Sequence, residues 1–116
     1  MDTPDSSKAP NPIQIYGGDL LARLMSAYVQ DAEEMLANAK TALAARDWTA
    51  VAKAARILHR AAEILFCDSV CTHAKALAKA AETRMLDDAR GIIERLEQAH
   101  ARFLVELTAQ LQMNEA

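Results

Sequence analysis

Five ionisable residues in one short stretch, between positions 53 and 63, could act together as a chemical surface. On a helix that turns by about 100° per residue, all five would lie within about 60° of the direction of Arg56. Only a neutral imidazole among their side chains can attack a phosphoryl group and release it again. A guanidinium stays protonated and offers donors alone, so it binds phosphate or carboxylate without carrying it. Four of these side chains, Lys53, Arg56, His59 and Arg60, can carry a positive charge and the fifth, Glu63, is acidic, so the stripe could bind an anion or be a solvated charged surface.

Alanine and proline usage predicts helices along most of the chain. Alanine occurs 25 times and no proline follows Pro12. Alanine has the highest helix propensity and interior proline is the strongest breaker, so this combination favours helix. Residues 1–18 are polar and proline-rich, and we expect a flexible arm there whose order would depend on an apolar anchor at Ile13, Ile15 and Tyr16. Residues 19–112 are expected to form one helical domain.

Apolar periodicity and capping residues divide this domain into helices. Asp19 is a suitable N-cap for a first helix, and the apolar spacing continues to Arg46 with a bend expected near residues 30–31. Asp47 caps the next helix, and the last two begin near residues 68 and 87. We therefore predict an all-α fold, an antiparallel up-down four-helix bundle with an additional short N-terminal helix. The apolar side of the helix that follows Asp47 consists of Val51, Ala55, Leu58, Ala62 and Leu65.

The segment Asp47–Leu77 resembles the core of the histidine-containing phosphotransfer (HPt) family of two-component signalling. Members of that family carry a helical pattern close to A-H-x-L-K-G-S/A-A, and the corresponding stretch here is ARILHRAA, residues 55–62. The resemblance extends over most of the chain, from about residue 17 to residue 107. It places Arg56 at the phospho-accepting histidine, His59 at the family's lysine, and Arg60 at the glycine that lets a partner approach the helix.

The resemblance implies an HPt-like scaffold that lacks the reactive atom. We expect a binding module that cannot be phosphorylated and that docks the receiver domain of a response regulator or hybrid sensor kinase, or a histidine-kinase domain, and modulates it. The stripe would contact the acidic pocket of the receiver. Two alternatives stay open. One is an active phosphotransfer protein that uses His59, and the other is a purely structural helical bundle whose charged stripe is only a solvated surface.

Charge and motif content argue against several other classes of protein. The formal net charge is −3 and the sequence pI is about 5.5, which disfavours a nucleic-acid partner. No apolar run approaches the length of a membrane span and Met1–Pro12 does not resemble a secretory signal, so we expect a cytoplasmic protein.

Cys67 and Cys71 are expected to be free thiols rather than zinc ligands with His73. No enzyme motif is found and no cofactor is implied. His73 and His100 are isolated in the sequence and are expected to be surface or hydrogen-bonded histidines.

Overall fold

Four helices make up the part of the chain that this computed structural model describes, residues 11–115. They are α1 (Pro12–Ala44), α2 (Trp48–Ile64), α3 (Asp68–Glu82) and α4 (Leu86–Glu115). No strand occurs within residues 11–115, as predicted for an all-α chain. The starts of α2, α3 and α4 lie within one residue of the positions expected from the capping residues.

The first helix contains one interruption, at Gly17. The side chain of Asn11 accepts a hydrogen bond from the Ile13 amide at 3.1 Å, and Pro12 occupies the first helical position, where its missing N–H costs nothing. Gly17 then adopts φ 77° and ψ 168°, a backbone conformation that glycine reaches without steric cost. One helical turn, residues 12–16, therefore precedes the long part of α1.

The bend expected near residues 30–31 does not occur, and the separate short helix predicted to begin at Asp19 is part of α1. Neither proline nor glycine is present at residues 30–31, so nothing there removes a backbone hydrogen bond or favours a kink. The predicted position of the break was wrong, because the interruption lies at Gly17, between the turn at residues 12–16 and the long part of α1.

The turn at residues 12–16 is anchored to the rest of the protein by an aromatic contact. The ring of Tyr16 stacks on Phe66 with centroids 6.1 Å apart, and its hydroxyl donates a 2.7 Å hydrogen bond to the Ile64 carbonyl. Of the other two residues expected to anchor the arm, Ile13 packs against the core and Ile15 is exposed. The predicted arm overlaps the described residues only from position 11.

Three turns of the same design connect the helices. Each contains a non-glycine residue in the left-handed region, with φ of 60° at Arg46, 58° at Phe66 and 56° at Arg84. In each, the following amide donates to the carbonyl five residues earlier, as in a Schellman motif. These bonds are Asp47 to Ala42 at 2.9 Å, Cys67 to Ala62 at 3.1 Å and Met85 to Ala80 at 3.0 Å. Because the turns are short, helices that are neighbours in the sequence pack side by side.

The four helices enclose one apolar core. α1 contacts α2 and α4, and α3 contacts the same two helices, so the contacts form a closed ring compatible with a helical bundle. All five residues predicted for the apolar side of α2 are buried, which confirms the rotation assigned to that helix. The largest fully buried side chains are Leu21, Leu58, Leu65, Leu77, Leu96 and Leu107. None of the helices in residues 11–115 has an apolar stretch of the length that crossing a bilayer requires.

Candidate functional site

The charged residues of α2 lie on its outer side, opposite the core. Asp47 caps the helix by accepting a 3.1 Å hydrogen bond from the Ala50 amide, which fixes where the helix begins. Burial of Leu58 and its apolar neighbours then determines which way the other side faces. We call the set Lys53, Arg56, His59, Arg60 and Glu63 the α2 stripe. Four of these five residues are exposed, and His59 is half-buried.

The cations of the α2 stripe are available to an external ligand. Among residues 11–115, no ion pair and no side-chain hydrogen bond includes Lys53, Arg56 or Arg60. An exposed guanidinium without an internal partner keeps all its donors for phosphate or carboxylate. The α2 stripe can therefore bind an anion without first breaking an internal contact to the described residues.

The α2 stripe borders two different grooves. Lys53 lines a groove of about 550 Å³ between α1 and α2, whose other walls are mainly apolar and include Met35 and Ile57. Arg56 lines a smaller groove of about 230 Å³ between α2 and the end of α3, together with Trp48 and Arg84. The sequence predicted the stripe but gave no reason to associate Arg84 with it, since the two arginines are 28 positions apart.

An exposed apolar residue, Ile64, follows the stripe at the end of α2. It is 50 % exposed, and it lies four residues after Arg60, so both side chains project from a similar side of the helix. The turn at residues 12–16 approaches it through the hydrogen bond from Tyr16. The α2 stripe therefore has different neighbours along its length: an apolar side chain follows its last residue, and Arg56 shares a groove with Arg84.

One of the two cysteines contacts the backbone of the stripe, and neither forms a reactive site. The thiol of Cys71 donates to the His59 carbonyl at 3.7 Å, and Cys67 is buried, and both are free. Burial raises the pKa of each thiol to about 11, so neither is a thiolate at neutral pH. Within residues 11–115, no three His, Cys, Asp or Glu side chains are grouped in a way that could hold a metal ion.

A second polar site, not identified from the sequence, lies between α1 and α4. His100 is only 7 % exposed, and its Nδ1 is 3.1 Å from the hydroxyl of Tyr28. Its Nε2 lies 3.5 Å from a carboxylate oxygen of Glu33. A proton on Nε2 would let Tyr28 donate to Nδ1 and would face the Glu33 carboxylate. Burial raises the pKa of Tyr28, which keeps its hydroxyl protonated.

This cluster holds two helices together and takes no part in the α2 stripe. The ring of Phe103 meets Tyr28 edge-on at 5.6 Å, and both rings belong to the apolar core. The spacing of apolar residues indicated the burial of His100, because this histidine falls between Leu96 and Phe103 in the apolar series of α4. A histidine in that series must be buried and must find a hydrogen-bond partner.

Comparison with known proteins does not identify the site. No protein-family model matches the chain, and neither a curated protein nor a solved structure matches it. The chemistry of the α2 stripe therefore follows from its own residues alone, and the HPt resemblance stays a prediction.

Proposed function

We propose that this protein is an HPt-like binding module that docks a receiver or histidine-kinase domain through the α2 stripe and modulates it without carrying phosphate. The observation that carries the proposal is the position of Arg56. It is exposed and has no internal ion pair among the described residues, and it lies where the family resemblance places the phospho-accepting histidine.

An HPt-like, antiparallel up-down arrangement of the helices is part of the proposal. Two contacts between α1 and α4 support it: Lys40 Nζ lies 2.6 Å from Glu97 Oε2, and Glu33 lies 3.5 Å from His100. A later residue in α1 therefore pairs with an earlier residue in α4. The short turns between consecutive helices favour the same up-down order.

The chemistry of the stripe favours binding over phosphate relay. A relay needs a nucleophile that accepts a phosphoryl group and gives it up, and a guanidinium has no lone pair available for attack. His59 lies three positions further along α2, about 60° round the helix from Arg56 and about 4.5 Å along its axis. It is also half-buried, so a receiver aligned on Arg56 would have to re-dock to reach it.

Electrostatic complementarity gives this proposal a measurable signature. A receiver brings an acidic pocket that holds Mg²⁺, and opposing charges raise the association rate more than they slow dissociation. Screening acts over about 8 Å at physiological ionic strength, so binding through exposed cations should weaken as salt is added.

The test is receiver binding by a charge-reversed variant. Purified receiver domains from the same organism would be titrated at low salt with the wild type and with the Arg56→Glu/Arg60→Glu variant. We expect the variant to lose at least about tenfold in affinity, because like charges across an interface cost several kcal/mol and about 1.4 kcal/mol is tenfold.

The matched control is Arg23→Glu/Arg102→Glu, which makes the same change in net charge at exposed positions of α1 and α4. It should bind like the wild type, and circular dichroism should show that both variants are folded. Equal affinity of the wild type and the Arg56→Glu/Arg60→Glu variant would refute docking through the stripe. If no receiver or kinase domain binds the wild type, the protein is a structural bundle of another kind.

A further inference from the structure

The groove that contains Arg56 also contains an arginine from a distant part of the chain. Arg84 belongs to the turn between α3 and α4, and it lines the same groove of about 230 Å³ as Arg56. Trp48, at the start of α2, is partly buried against the core and forms part of the wall. Two arginines and a tryptophan therefore line one small groove at the edge of the α2 stripe.

The backbone that carries Arg84 is fixed by the turn. Its φ is 56°, its amide donates to the Ala81 carbonyl at 3.2 Å, and the Met85 amide donates to the Ala80 carbonyl at 3.0 Å. The hydroxyl of Thr83 donates to the Lys79 carbonyl at 3.1 Å, which holds the end of α3 further. A cation presented from such a turn loses little backbone entropy when it binds.

The charged residues that line the groove favour the binding of an anion. Glu82 lines the groove and is its single acidic side chain, against the two arginines. No ion pair within residues 11–115 includes Arg84 or Glu82. Guanidinium groups match the flat, two-oxygen geometry of a carboxylate, and the indole supplies an apolar wall for the carbon atoms of an acidic side chain.

We propose that Arg84 is a second partner-binding residue, and that carboxylates of the docked acidic partner occupy the groove between Arg56 and Arg84. The inference rests on the proposed docking function and deepens it, because it sets the direction of the footprint. The partner extends from Arg56 toward the start of α2 and the α3–α4 turn. Past Glu63, the last residue of the α2 stripe, it makes no contact with Ile64 at the other end of the helix.

Trp48 makes the groove directly observable. It is the single tryptophan of the chain, so its fluorescence reports on this site when the titrant has no tryptophan. A tryptophan-free receiver domain that binds the wild type would be titrated while emission is recorded. We expect the emission to change on binding. Arg84→Glu should lower affinity by at least about tenfold, as expected for a like-charge contact.

Two control variants separate a local contact from other effects. Arg90→Glu makes the same change in charge on α4, where Arg90 is exposed and lies 3.7 Å from Asp87. It should lower the affinity less than about threefold, because exposed and screened charges act weakly at a distance. Ile64→Ser tests the other end of α2 and should leave affinity unchanged. Arg56→Ala and Arg84→Ala combined should also cost less than the sum of the single changes, because both contact one anionic group.

The outcomes distinguish this inference from the function on which it rests. Suppose that Arg56→Glu/Arg60→Glu weakens binding, Arg84→Glu leaves the affinity unchanged, and Trp48 emission does not change on binding. The role proposed for Arg84 is then refuted, and docking through the stripe stands. Equal losses for Arg84→Glu and Arg90→Glu would show only a general charge effect, which also overturns the inference. A loss with Ile64→Ser alone would place the footprint at the opposite end. If the Arg56→Glu/Arg60→Glu variant binds normally, both proposals fail.

Discussion

Replacement of Leu58 by alanine should be among the most damaging single changes on α2. Leu58 is 2 % exposed and lies opposite Arg56 on the same helix. The change removes three carbon atoms from the core, and each buried CH₂ is worth about 0.8 kcal/mol, which gives about 2.4 kcal/mol for transfer alone. The cavity left behind adds to this, and buried Leu→Ala changes cost about 2–5 kcal/mol in all. We expect a loss of about 3 kcal/mol in the free energy of unfolding.

The matched comparison is Arg56→Ala, two positions earlier. Its side chain is exposed and has no ion pair among the described residues, so the variant should lose less than about 0.5 kcal/mol. Urea denaturation followed by circular dichroism measures both free energies, and the slope with denaturant should be the same for the two variants. Similar losses for Leu58→Ala and Arg56→Ala would show that α2 is rotated differently, and the α2 stripe would then not be a surface.

Three further predictions follow from the site and the core. The wild type should accept no acid-labile phosphate from receivers charged with acetyl phosphate, whereas the Arg56→His/Arg60→Gly variant should accept some phosphate. Labelling of the wild type that disappears in His59→Ala would contradict this prediction. Tyr28→Phe should lower the free energy of unfolding by about 1–3 kcal/mol, because Nδ1 of buried His100 loses its partner at 3.1 Å, and an unchanged urea midpoint would mean the pair is not formed. Burial raises the pKa of Cys71 to about 11, so its thiolate is scarce at neutral pH. Alkylation of half-buried Cys71 by iodoacetamide should rise about tenfold per pH unit from pH 7 to 9.5, and a plateau near the usual cysteine pKa of about 8.5 would contradict the raised pKa.

The helices and their buried sides were predictable from local information. Asp47 caps α2 because a side-chain oxygen can reach the amide three residues later, and the spacing from Val51 to Leu65 determines the buried side. The continuity of α1 was missed because variation in apolar spacing was read as a bend, although no residue there breaks a helix. The kink at Gly17 depends on its left-handed φ, which two adjacent glycines permit but do not require.

The composition of the site was only partly predictable. The α2 stripe lies within one helix, so its exposure follows from helical periodicity. The neighbourhood of Arg56 and Arg84 depends on how α2 and α3 pack and on the left-handed residue in the turn, and neither is encoded by local spacing. The burial of His100 was readable from the apolar series of α4, but its partners Tyr28 and Glu33 come from α1 and required the tertiary structure.

The most direct measurement of the central claim is an NMR titration of the ¹⁵N-labelled protein with an unlabelled receiver domain at low salt. If the receiver docks through the α2 stripe, amide signals of residues 53–63 should shift or broaden first, together with those of Trp48 and Arg84, and added salt should reverse the change. Signals around His100, between α1 and α4, should stay unchanged and serve as the internal control. Changes confined to α1 and α4, with α2 unaffected, would contradict the claim that this surface is the docking site.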